Sequence, residues 1–143
     1  MNYFSFKISL YKLNRRRKKE HKILSKLIEE AEKKSGREAA EEVYQSESFE
    51  LQMTEDEITY LITRYLISKA EKMLLPTPPT TDKDGLWEPS HYTGKWALTA
   101  KGITELNRLI RQERVERLEL ASKWVTILIG LIGAITGLVA VSR

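Results

Sequence analysis

The chain contains no cysteine, which excludes disulfides, cysteine-based zinc sites and thiol nucleophiles. Its two histidines, His21 and His91, have no histidine or cysteine partner at ligand spacing, so no metal site is expected. No P-loop, GxSxG or HExxH motif occurs, and the plentiful carboxylates alternate with cations in the manner of solvated helix faces. Neither catalysis nor a cofactor is expected. The N-terminal stretch lacks the pattern of a secretory signal, because its charges follow its apolar residues and no small-residue cleavage site appears. Between residues 100 and 141 there is no proline, and after Gly102 no glycine until Gly130.

What is present is uneven. The total net charge is +4 over 143 residues, yet it is concentrated in one arm. Between Lys12 and Lys22, seven cations, including the unbroken Arg15, Arg16, Arg17, Lys18 and Lys19, stand against Glu20 alone. The rest of the chain is slightly acidic. Such an arm suits anionic lipid headgroups, at about 1 kcal/mol of attraction per cation, or less readily the phosphates of a nucleic acid.

Residues 125–141, VTILIGLIGAITGLVAV, form an unbroken apolar run. At ~1.5 Å per residue it covers about 25 Å, the short end of a membrane-spanning helix. Lys123 and Trp124 on one side and Arg143 on the other are the expected interfacial residues. Arg108, Arg111, Arg114, Arg117 and Lys123 precede the run and only Arg143 follows it. The positive-inside rule therefore predicts a single-pass protein of the inner (plasma) membrane, tail-anchored, with a cytoplasmic N-terminus. Thr126, Gly130, Gly133, Gly137 and Ala140 recur at alternating steps of four and three, lining one helix face. That small-residue seam, with GxxxG at Gly133 and Gly137, predicts self-association or pairing with a partner helix.

The remainder reads as mainly helical. Alternation at Phe4, Phe6, Ile8 and Leu10 predicts a short strand in preference to an amphipathic membrane-surface helix, because at 100° per residue these positions scatter around the wheel, and residues 1–22 are taken as that strand plus the basic arm. A stripe at Ile23, Leu24, Leu27, Ile28 and Ala31 predicts a helix. Ser35 and Glu38 have capping-box spacing before a second stripe at Ala39, Ala40, Val43 and Tyr44, and one kinked helix or two separate ones both fit. Phe49, Leu51 and Met53 suggest another short strand, and Thr54 to Glu57 a capping box for a helix whose core stripe runs to Met73. Prolines at 76, 78 and 79 end it. A loop with a turn at Asp84 and Gly85 follows, and Trp87 and Trp96 flank a loose hairpin whose aromatic side chains are expected to pin it to the core, with a small pocket lined by Trp87, His91 and Tyr92 as the alternative. Thr99 is a candidate N-cap for a last helix from Ala100, roughly 60 Å long if continuous to residue 141.

Leu98, Thr99 and Gly102, in the sequence YTGKWALTAKG, resemble the end of a winged-helix domain, in which a wing strand closes on LT-x-x-G before a helix. The resemblance implies a fold in which the 54–75 helix takes the recognition position, although only one clear helix precedes the wing and its exposed set, Arg64, Lys69, Glu71 and Lys72, is mixed in charge. The C-terminal half looks like small bacterial proteins that join such a domain to one membrane helix.

The expected architecture is therefore a winged-helix-like helical domain with a β-hairpin over residues 23–104, a charged stalk over 105–123 and a transmembrane helix over 124–141. The expected role is a membrane-tethered, non-enzymatic interaction or scaffolding protein that self-associates through the seam. A membrane-bound DNA-binding regulator and a small membrane-perturbing effector are the alternatives.

Overall fold

The computed structural model describes residues 1–80, 85–90 and 92–141, with 135 and 137–141 as helical backbone. Among these the elements are α1 (Tyr3–Ser35), α2 (Arg37–Glu47), α3 (Phe49–Lys72), a two-stranded antiparallel hairpin of β1 (Trp87–Pro89) and β2 (Trp96–Leu98), and α4 (Ala100–Val141).

Helix α1 starts where Asn2 caps it, its side chain accepting the Ser5 backbone N–H at 2.7 Å. The strand predicted at residues 4–10 is thus corrected to helix. The physical reason is that the alternation mixes two helical stripes on opposite faces. Phe6 is buried, with Leu10 and Leu13 half-buried on its side, while Phe4, Ile8 and Tyr11 are exposed. The helix stops at Gly36, whose N–H bonds the Glu32 carbonyl. Its backbone, φ 88° and ψ −172°, lies in a region that essentially only glycine occupies. Two helices result, and α2 starts without a side-chain cap, so the Ser35 and Glu38 box is not formed.

Ser48, almost fully buried, separates α2 from α3 and accepts a hydrogen bond from the Gln52 side chain at 2.9 Å. The strand suggested at residues 49–53 is instead the first turns of α3. Thr54 is accordingly an interior helical residue, fully buried, rather than an N-cap. The apolar stripe that continues through Ile58 and Leu66 is long enough to recruit these turns against α1.

Helix α3 runs antiparallel to α1. Arg16 faces Glu57 at 3.8 Å, Phe6 stacks on Tyr65, and the Met1 amino group donates to Ser68 Oγ at 3.1 Å. After α3, Leu74 adopts φ 59°, and the Leu75 N–H returns to the Ala70 carbonyl, the hydrogen-bonded stop typical of a left-handed C-cap. The core gathers Leu66 and Ala70 of α3, Leu98 of β2, and Leu106 and Ile110 of α4. Each large aliphatic buried there contributes about 1.5–3 kcal/mol.

The motif around Leu98 has a direct structural cause. Leu98 is fully buried, and its N–H donates to Thr63 Oγ1 on α3 at 3.0 Å. Thr99 Oγ1 accepts the Gly102 N–H at 3.2 Å, capping α4. At Gly102 a side chain would collide with the Leu86 carbonyl.

Among the described residues, no helix is long and apolar enough to cross a membrane. This overturns the transmembrane part of the expected fold, and with it the single-pass, tail-anchored placement in the inner membrane. The apolar run of α4, residues 125–141, covers only about 25 Å. A hydrocarbon core is ~30 Å thick. The turns before residue 124 are charged.

Candidate interaction surfaces

Helix α4 leaves the core after Ile110. Arg117, held by Glu113 at 2.7 Å, donates to the Met73 carbonyl at 3.2 Å. Every described side chain from Arg114 to Ala134 is exposed. Trp124 is 67 % and Ile129 65 % exposed, so these apolar groups pack against no other element among the described residues. Thr126 donates to the Ser122 carbonyl and Thr136 to that of Ile132, which satisfies both hydroxyls inside the helix. Nothing lies within 4 Å of where a side chain on Gly130 or Gly133 would sit, so this part of the seam is open. Lys123 and Trp124 are exposed on the same helix. Gly137 and Ala140 are described only as backbone, and Arg143, Asp84 and His91 lie outside the described residues.

The basic arm lies in mid-helix on α1, and its five consecutive cations do not share a face. Arg15, Lys18 and Lys19 point outward. Arg16 is drawn sideways by Glu20, at 2.7 Å, and Glu57; hydrogen bonding and charge from Glu20 hold its guanidinium pKa above the ordinary value. Arg17 is half-buried towards α3, beside Glu55. His21 is exposed, its Nδ1 3.3 Å from Ser25 Oγ.

The outward face of α1 also carries what the alternation concealed. Phe4, Ile8 and Tyr11 are 77 %, 57 % and 69 % exposed. At 100° per residue they fall in line with Arg15, Lys18 and Lys22, all within an arc of about 80°. The signal was available in the sequence as an i, i+4, i+7, i+11 series, once the opposite stripe through Phe6, Leu10 and Leu13 is subtracted.

A third surface is an open groove of about 390 Å³ between α3 and the hairpin, lined by Met1, Tyr60, Arg64, Glu71, Trp87 and Trp96 among others. The Lys95 ammonium stands 4.9 Å from the Tyr60 ring centre and the Arg64 guanidinium 5.8 Å, both at cation–π range. Trp87 donates its indole N–H to the Pro78 carbonyl at 3.0 Å, tying the proline-rich segment to the hairpin. The hairpin tip is pinned by Ser90, which bonds Asp56, and by Tyr92, edge-on to Phe49 at 5.2 Å. Tyr92 is therefore an anchor between the hairpin and α3.

Among the described residues no three histidine, aspartate or glutamate side chains converge to hold a metal ion. The chemistry on offer is surface chemistry: an apolar helix without a cover, a cationic and aromatic stripe, and an aromatic groove. No protein-family model matches this chain, and neither a curated protein nor a solved structure matches it.

Proposed function

We propose that this protein is a non-enzymatic interaction module that self-associates through the exposed part of α4. The observation that carries the reading is the exposure of Trp124, Val125, Ile127, Leu128, Ile129, Leu131 and Ile132, each more than half open to solvent. Successive apolar residues there point in every direction around the helix axis, so no single face of the same chain can cover them. Burying one such side chain is worth about 1.5–3 kcal/mol, and a bundle of α4 helices from several copies buries those that face its axis.

A second copy is the partner that fits. Thr126, Gly130 and Gly133 form one line along the helix, and the space beside the two glycines is empty. A neighbouring helix can approach closely there and set its isoleucines and leucines beside the seam. Because α4 carries these residues clear of the core, the bodies of the copies need not collide.

Sedimentation equilibrium of the full chain in detergent-free buffer tests this. The protein is expected to form a defined oligomer, and Gly130→Ile with Gly133→Ile is expected to shift it towards monomer without loss of helicity. A wild-type monomer, or an oligomer indifferent to these substitutions, rejects the reading.

A further inference from the structure

The outward face of α1 carries two things that folding does not use. Phe4, Ile8 and Tyr11 are exposed apolar groups on a helix whose opposite side already supplies Phe6 to the packing with α3. Arg15, Lys18 and Lys22 continue the same line and are exposed. Among the described residues none of these three has an acidic partner, whereas Arg16, one position off the line, is paired with Glu20. From Phe4 to Lys22 the stripe is straight and about 27 Å long.

The geometry points to this face as a docking surface for an anionic lipid layer, on which α1 lies flat without any segment crossing it. Cations in line with exposed apolar side chains match a headgroup layer in both respects: the cations meet its negative charge, and Phe4, Ile8 and Tyr11 enter the boundary beneath. A nucleic acid would use the cations but offers nothing to Ile8 or to the Phe4 end of the stripe, which lies about 16 Å from Arg15 along the helix. The eight-residue apolar section from Phe4 to Tyr11 and the cationic section are two halves of one amphipathic face, and lipid is the partner that engages both. This surface is separate from α4, and the inference does not rest on self-association.

The test is flotation of the full-length protein with vesicles of phosphatidylcholine alone and of an equimolar mixture with phosphatidylserine. Partitioning onto the anionic vesicles is expected to exceed that onto the neutral ones, and to fall towards the neutral level at about 1 M salt, where the Debye length is about 3 Å. Arg15→Gln, Lys18→Gln and Lys22→Gln together are expected to weaken anionic binding on the order of a hundredfold. Phe4→Ser with Ile8→Ser is expected to weaken it roughly tenfold. All five positions are exposed, and circular dichroism and sedimentation of the variants are expected to match the native chain. Equal partitioning onto both vesicle types overturns the inference, because it assigns binding to α4. So does an apolar variant that binds like the native chain, or tight binding to a DNA duplex without binding to the anionic vesicles.

Discussion

The rings of Phe6 and Tyr65 stack with their centroids 4.0 Å apart and their planes 8° from parallel. The contact joins the start of α1 to the last third of α3, and it makes residues 3–13 part of the folded body rather than a free arm. Phe4, two residues away, points to solvent.

Phe6→Ala is therefore expected to cost about 3 kcal/mol, the lower end for removing a buried aromatic. Phe4→Ala is expected to change stability by less than about 0.5 kcal/mol. Urea unfolding followed by circular dichroism measures both. Equal effects would mean that α1 does not present these faces.

Gly102 sits against Leu86 so closely that a methyl group would overlap the Leu86 carbonyl and lie 2.9 Å from a methyl of Leu98. Gly102→Ala is expected to destabilise by about 1–3 kcal/mol, as overpacking does. Thr99→Ala, which removes the cap of α4, is expected to cost about 1 kcal/mol. A melting temperature unchanged in the Gly102 variant would show that the start of α4 is less tightly seated than described.

Leu74 holds a left-handed backbone at φ 59° while 91 % exposed. Its side chain gains almost nothing from burial, and an L-residue there costs about 1–2 kcal/mol relative to glycine. Leu74→Gly is expected to stabilise the protein by roughly 1 kcal/mol, read as a higher urea midpoint. A lower midpoint would contradict this assignment of the α3 stop.

Lys69 lies partly buried, 5.6 Å from the Tyr65 ring centre. Burial pushes its ammonium pKa below the ordinary lysine value, and repulsion from Arg114 adds to the shift. A lysine that loses its proton more readily when folded carries a penalty that is fully present below the folded pKa. The penalty is relieved as the pH rises towards the unfolded value. Unfolding measured from neutral to alkaline pH is expected to show stability rising with pH relative to Lys69→Met, in the range just below the usual lysine titration. A difference that stays flat or falls across that range would count against it.

Parts of this structure were legible in the chain, and the illegible parts share a cause. The Leu98, Thr99 and Gly102 spacing announced a strand end and a cap because each depends on a local backbone requirement, whereas the close approach at Gly102 depends on the distant Leu86 carbonyl and was not announced. The proline-rich stop and the hairpin between Trp87 and Trp96 were readable for the same reason. Residues 4–10 and 49–53 misled because short alternation does not distinguish one strand from two helical faces or from the opening of a longer helix. Only packing against a distant segment decides between them. Thr54 shows the same limit, since a capping sequence means little once helix continues on its N-terminal side. The run after Trp124 was conspicuous, yet hydropathy alone assigned it to lipid, and among the described residues no helix is long and apolar enough to cross a membrane. Of the surfaces, the seam was visible as spacing. The Phe4, Ile8 and Tyr11 line was hidden because its residues alternate with those of the opposite face.

Gly36 is the one residue that turns the chain back between α1 and α2, and no neighbour crowds it. Its role is purely conformational, and the reversal is therefore inexpensive to undo. Any residue that prefers ordinary helical angles there would let residues 3–47 run on as a single rod. The hairpin would open, and the site that α2 vacates beside Leu24 would be left for the corresponding segment of a neighbouring molecule. One achiral position thus decides whether this protein completes its own fold or trades a segment with its neighbour.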